Sequence, residues 1–356
     1  MASSRFRTAV VLSAWLVAGG AVPAAAQDFV VARFEQYMEA LRQQTGIPGL
    51  AAAIVHDGAI VWEKGFGFAD VDRGVPAMPD TLFHVGGLTQ SFSSVLALQC
   101  VEMGRIRLTD PIQPFGVTVP EAGAAVGHIL THTSEGAPGV AFRYSLERIA
   151  ALTPVVDSCL GRYREILAEN ILERLAMFDS VPGQDLALGL AAVPPDMFNE
   201  GMVARYVGAL QRLAVPYRVD ARGRASASAY PETGINAAIG LVSTVRDLAR
   251  FDAGLDQAVL LRPETLAVAW ANPLGLDGQR LPHGLGWFVQ TYNGTTLVWQ
   301  YGHLPDAGSA LVIKVPARRL TLVLLANGDG LAAPFQLNRG DVTTSLFAQV
   351  FLRLFL

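Results

Sequence analysis

Few residues of this chain combine the right type and spacing for chemistry. Three serines, Ser91, Ser93 and Ser94, follow a glycine-rich approach, Phe83-His84-Val85-Gly86-Gly87-Leu88-Thr89-Gln90. A serine hydroxyl becomes a nucleophile when a base lies within hydrogen-bond reach and N–H donors await the oxyanion. The two lysines are Lys64 and Lys314, and the residues three before them are Val61 and Leu311, so no S-x-x-K pair exists. No G-x-S-x-G elbow exists either. His128 and His132 stand four apart, a spacing that could ligate a metal from one helical face. No Glu follows the first of them, and a helix end with a turn is the better reading. Gly65-Phe66-Gly67 lacks the strand–turn–helix setting of a nucleotide loop.

The elements that must position these residues are legible from periodicity. Phe92, Val95, Leu96, Cys100 and Met103 fall at helical spacing and Gly104 follows, so a buried helix is expected from about residue 91 to 103. Its N-terminus presents backbone N–H groups and the positive end of the helix dipole, a good place for a nucleophile or an anion. Upstream, Val30, Phe34, Tyr37, Met38 and Leu41 predict a helix over 29–45, ended by Gly46-Ile47-Pro48-Gly49. The runs 50–56 and 59–68 flank Asp57-Gly58, a hairpin signal. The middle of the chain reads as helices over 146–160, 163–175, 198–213 and 245–251, with an exposed polar loop over 218–231. The last third returns to strands over 296–301, 309–315 and 320–327 and closes with a helix whose stripe is Phe347, Val350, Phe351 and Leu354. The fold class is α/β of the α+β kind: one antiparallel sheet flanked by helices, plus an inserted helical lobe. The sheet lobe takes about 27–85 and 265–356, and the helical lobe about 86–264.

The order of these motifs resembles the serine β-lactamase and penicillin-binding-protein superfamily, in particular its class C-like serine hydrolases (esterases, D-aminopeptidases and D,D-carboxypeptidases). Ile47-Pro48-Gly49 before the hairpin, Gly127-His128-Ile129-Leu130-Thr131-His132-Thr133-Ser134, Gly234 to Thr244, and Gly284-Leu285-Gly286-Trp287 all match that family's pattern. The resemblance covers nearly the whole chain after residue 26. It implies the β-lactamase/transpeptidase-like fold and a site between sheet and helical lobe.

Against that frame, the reactive positions are altered. The family's S-x-T-K segment falls on Gly87-Leu88-Thr89-Gln90, so the nucleophile position is Gly87 and the lysine position is Gln90. Gly87 has no side chain to acylate, and Gln90 cannot take a proton at neutral pH. The Y-x-N motif falls on Tyr144-Ser145-Leu146, with the Tyr kept and the Asn replaced. Tyr144 is either a proton carrier or a packed tyrosine with a satisfied hydroxyl. The K-T-G or H-x-G motif falls on His303-Leu304-Pro305, and Pro305 has no N–H to offer an oxyanion. These losses point to a pseudoenzyme whose cleft is lined by Gly87, Gln90, Tyr144 and His303 and binds a peptide or small carboxylate at the helix N-terminus. The alternatives are a weak esterase or amidase with Ser91 as a relocated nucleophile or a water activated by His303 and Tyr144, and a protein-interaction scaffold. No cofactor and no metal is implied.

Composition fits an exported protein. Arg5 and Arg7, an apolar run from Ala9 to Ala18 and Ala24-Ala25-Ala26 make residues 1–26 a secretory leader, with residues 27–356 as the β-lactamase-related domain in the periplasm or outside the cell. The leader's apolar run is short for a membrane span, and no later segment is long enough. The formal charge of −4 at pH 7 gives no reason to expect a nucleic-acid partner. Cys100 and Cys159 could pair in an oxidising compartment, but Cys100 on the apolar helix face reads as a buried free thiol.

Overall fold

The apolar runs at both ends of the chain meet in one seven-stranded antiparallel sheet. In the computed structural model, which describes residues 24–231 and 234–356, α1 (Ala24–Gln44) leads into β1 (Gly49–His56) and β2 (Ala59–Asp70). Asp57 and Gly58 both take positive φ, 52° and 75°, as a two-residue turn matching the strand twist requires. The secretory leader read over 1–26 lies outside the described residues up to residue 23. β3 (Val75–Pro76) pairs with β2, and the sheet is completed from the far end of the chain by β9 (Phe288–Tyr292), β10 (Thr295–Leu304), β11 (Gly308–Val315) and β12 (Leu320–Ala326). Numbering all twelve strands in chain order, the sheet runs β3-β2-β1-β12-β11-β10-β9, with Ala53 opposite Val323 at its centre.

Both faces of this sheet are covered, which is why its strands read as apolar runs rather than alternations. Leu50, Ala52 and Ile54 of β1, with Leu322, Leu324 and Ala326 of β12, face one core under α1 and the closing helix α10 (Leu346–Phe355). Phe34 of α1 meets Phe355 edge to face, with ring centroids 5.4 Å apart. Ala51, Ala53, Val323 and Leu325 point the other way, into the core shared with the helical lobe.

That lobe is built on α2 (Thr89–Glu102), entered through a 3₁₀ turn at Gly86–Leu88. Around it stand α3 (Val126–Leu130), α4 (Leu146–Ala150), α5 (Leu152–Leu160), α6 (Tyr163–Leu167), α8 (Val245–Asp256) and α9 (Pro263–Ala269), while α7 (Glu200–Leu210) packs in a separate core with Leu82, Val181 and Val242. A small sheet of β4 (Phe83–His84), β8 (Leu241–Ser243) and β5 (Val181–Pro182) ties the approach to α2 to the rest. Among the described residues, no helix is long and apolar enough to cross a membrane.

Several expectations needed correction. The helix read over 146–160 is two, α4 and α5, and the one over 163–175 gives way after Leu167 to a π-helical turn at Ala168–Glu173. The loop read over 218–231 contains a short hairpin of β6 (Tyr217–Val219) and β7 (Ala225–Ala227), whose exposed Ala and Ser residues carry no apolar alternation to announce it. The free-thiol reading of Cys100 is also overturned: Cys100 of α2 and Cys159 of α5 form a disulfide, with Cα atoms 6.2 Å apart. The two helices pack side by side, so positions 59 residues apart in sequence arrive opposite each other.

Candidate functional site

The turn at Gly86–Leu88 is pressed between β10 and the first turn of α4. Gly302 of β10 runs against the backbone of Val85 so closely that a Cβ on it would lie 1.9 Å from the Val85 carbonyl oxygen. Gly86 adopts φ +56°, with its Cβ direction 3.2 Å from the backbone nitrogen of His303. These contacts fix Gly87 at the end of α2 next to the strand that carries His303. Thr89 holds the turn by donating its hydroxyl to Gly86 O at 2.7 Å.

Gln90 is fully buried, and its amide organises the site. Its Nε2 donates to Gly87 O at 3.0 Å and to the Tyr144 hydroxyl at 2.9 Å. Its Oε1 lies 2.8 Å from His132 Nε2. Nδ1 of His132 accepts the Ser145 N–H at 3.1 Å, so the ring's proton sits on Nε2 and is donated to Gln90. The ring of Tyr144 in turn stacks on that of Tyr301, with centroids 5.3 Å apart.

Every member of this chain is neutral. Burial, reinforced by the neighbouring His283, holds His132 well below its ordinary pKa. Burial likewise lowers His283 to about 3. Burial and the neighbouring Tyr301 push Tyr144 well above the usual phenol range. His283 is fixed by Nδ1–H donation to Gly284 O at 2.9 Å, and its Nε2 receives the Gln300 amide at 3.2 Å. Neither His132 nor His283 is poised to accept a proton near neutrality.

Gly87 and Gln90 do not line the cleft as the motif comparison implied. A Cβ built on Gly87 lies 3.1 Å from both methyl carbons of Leu146 and 3.2 Å from the Tyr144 hydroxyl. Leu146 and Tyr144 thus lie over the start of α2, and the N-terminus expected to receive a carboxylate is buried beneath them. A cleft does persist outside this layer. It has a volume of about 510 Å³ and is lined by Tyr144, Leu146, Tyr301, His303, Pro305 and Phe335, among others. Nε2 of His303 lies 3.8 Å from Asp329 Oδ2, and this neighbouring imidazole holds the Asp329 carboxyl below the usual carboxylate range. β10 ends at Leu304 and the chain turns through Pro305-Asp306, so the strand edge that would supply an oxyanion donor stops short.

Ser91 is buried too. Its hydroxyl donates to Gly286 O at 3.3 Å and borders a small apolar cavity walled by Trp270, Trp287 and Trp299. Lys314 lines the same cavity, with its ammonium bound to Asp252 and Asp256 at 2.9 and 2.8 Å, and it is not free to serve as a base. His128 and His132 do not converge: Nδ1 of His128 accepts the Ala125 N–H at 3.2 Å, while both nitrogens of His132 are committed elsewhere. Among the described residues, no group of three or more His, Cys, Asp or Glu is placed to hold a metal.

Sequence reasoning treated His132 as a turn residue and Leu146 as a lost Asn. It gave no part to Tyr301 or Asp329. The one available signal was Gln90 itself: an amide on the apolar side of a buried helix requires two or three polar partners.

The fold and the order of its motifs find counterparts among known proteins. The chain belongs to the Beta-lactamase family, whose profile matches residues 34–343. A β-lactamase of Pseudomonas fluorescens is 22% identical over 289 residues, covering 72% of this chain and 73% of that protein. The mitochondrial serine beta-lactamase-like protein LACTB of Mus musculus is 29% identical over 101 residues, 28% of this chain and 18% of the relative. The chain therefore matches less than a fifth of LACTB's length. The octameric penicillin-binding protein homologue of Pyrococcus abyssi superposes with a TM-score of 0.74 at 21% identity, over 91% of this chain and 77% of that one. The D-amino acid amidase of Ochrobactrum anthropi gives 0.69 at 18% identity, over 90% and 98%.

Proposed function

We propose that this protein is a non-catalytic member of the family, exported to the periplasm or beyond, that holds a peptide or small carboxylate non-covalently in the cleft beside Tyr144 and His303. The observation that carries this reading is the replacement of the nucleophile–lysine pair by Gly87 and a Gln90 amide committed to Gly87 O, Tyr144 and His132. Acyl transfer requires an attacking atom and a group to take its proton, and neither stands at this position. The open cleft supports ligand binding over a plugged scaffold. Of its lining residues, only His303 can carry a positive charge to meet a carboxylate. A relocated nucleophile at Ser91 has against it the burial of that hydroxyl on the core side of α2.

The test is intact-mass spectrometry of the purified, folded protein after incubation with a penicillin and with a fluorophosphonate. The expected result is no adduct with either. A stoichiometric mass increase would overturn the proposal, and peptide mapping would name the nucleophile.

A further inference from the structure

We propose that Leu146 is the specificity-determining residue of the cleft, selecting ligands that present an aromatic or branched apolar group beside their carboxylate. This inference rests on the non-covalent binding role just described and deepens it. Leu146 opens α4, and its half-buried side chain has two faces. One lies on Gly87, where its two methyl carbons are 3.1 Å from the Cβ direction of that glycine. The other forms part of the cleft lining. A residue with a side chain at position 87 would displace it, so Gly87 and Leu146 are complementary in shape.

The consequence is a cleft with an apolar floor. Beside Leu146 lies the Tyr144 ring, held from below by the Gln90 amide and stacked on Tyr301. Pro305, Ala332, Ala333 and Phe335 continue the apolar lining, and side-chain polarity is confined to the tyrosine hydroxyls, His303 and Asn338. An amide at position 146 would offer hydrogen bonds to a ligand's polar backbone. Leucine offers only dispersion and exclusion of water, which reward a close-fitting apolar group. Stacked aromatic rings add a preference for a flat partner. The ligand's bulk packs on Leu146 and the tyrosines, and the start of α2 is sealed from it.

The experiment compares N-acetyl-phenylalanine with N-acetyl-alanine, which share the carboxylate and the amide, as ligands of the wild-type protein and of Leu146→Asn, Leu146→Ala and Leu146→Met. Binding is read by calorimetric titration, and thermal unfolding verifies that each variant is folded. The wild type and Leu146→Met are expected to favour the phenylalanine derivative by about tenfold or more, the scale of a well-filled apolar pocket. Leu146→Asn and Leu146→Ala should lose most of that preference, the phenylalanine derivative weakening markedly more than the alanine derivative. If the wild type binds both equally, or the preference survives in Leu146→Asn and Leu146→Ala, the assignment to Leu146 falls and the binding role stands. If the wild type binds neither probe, both fall. Should Leu146→Asn fail to fold, Leu146→Ala against Leu146→Met decides.

Discussion

His132 donates its Nε2–H to the side-chain oxygen of Gln90 at 2.8 Å, and this bond determines which way the Gln90 amide points. With the oxygen turned to the histidine, the NH₂ group must face Gly87 O and Tyr144, both of which accept. A lysine at position 90 could not take part in the same way, because an ammonium has only donors and would oppose the N–H of His132. The glutamine is therefore suited to its surroundings, and the histidine, the amide and the phenol form one satisfied unit.

Replacing Gln90 by Leu should destabilise the protein by about 2–3 kcal/mol, since it leaves the His132 N–H buried without an acceptor and the Gly87 carbonyl without this donor. Urea denaturation reads the loss. A change under about 0.5 kcal/mol, the range of neutral surface substitutions, would mean that the bonds at Gln90 contribute nothing net.

The same burial predicts an acid-sensitive fold. The folded-state pKa values of His132 and His283 lie below the unfolded value, that of His283 at about 3. Neutral rings in the folded state and protonatable ones in the unfolded state mean that the unfolded chain binds more protons below about pH 6.5. The contribution is present in full above that value and is lost as pH falls toward the folded-state pKa. Between pH 7 and pH 5 each ring should cost about 2 kcal/mol of stability. Urea midpoints measured across this range test the slope, and His283→Gln, which keeps an acceptor and a donor without titrating, should remove about half of it. A flat profile in the wild type would show that these rings do not enter the balance.

The sheet and the central helix were legible because their signals are local: Asp57-Gly58 between apolar runs, and Phe92, Val95, Leu96 and Cys100 on one helical face. By resemblance, the ordered motifs also assign the family's reactive positions to Gly87 and Gln90. The filling of the site was not legible. Leu146 over Gly87, Tyr301 behind Tyr144 and Asp329 beside His303 are contacts between segments 59 to 157 residues apart or turns following β12, and sequence spacing carries no record of them. The small hairpin of β6 and β7 was missed because its second strand is Ala-Ser-Ala, fully exposed and without a buried face.

The disulfide was hidden for the same reason, and it gives a prediction about the helix that carries the site. Cys100 and Cys159 close a loop with a sequence separation of 59. In the chain-entropy account, a cross-link of that span stabilises by about 4 kcal/mol. The double variant Cys100→Ser, Cys159→Ser should lose stability of this order, and dithiothreitol should lower the wild-type midpoint while leaving the double variant unchanged. A wild-type midpoint insensitive to reductant, together with free thiols by alkylation, would show that the two cysteines do not pair in solution.

Restoring the family's reactive pair should not restore its chemistry. In Gly87→Ser with Gln90→Lys, the serine Cβ must enter the space 3.1 Å from the Leu146 methyls, and the lysine must occupy a fully buried position facing the His132 N–H. Overpacking of this kind costs about 1–3 kcal/mol, and an unpaired buried cation about 3–5 kcal/mol. Even in the folded fraction, β10 still ends at Leu304-Pro305, so the oxyanion lacks its strand donor. The double variant should be destabilised and show no mass adduct with a penicillin. Adding Leu146→Asn keeps the branched shape above Gly87 but supplies a polar partner for the new side chains, so the triple variant should recover part of the stability lost in the double. A double variant that acylates as readily as a working hydrolase would show that Leu146 and the shortened strand are no barrier and that the site fails only for want of the serine and the lysine.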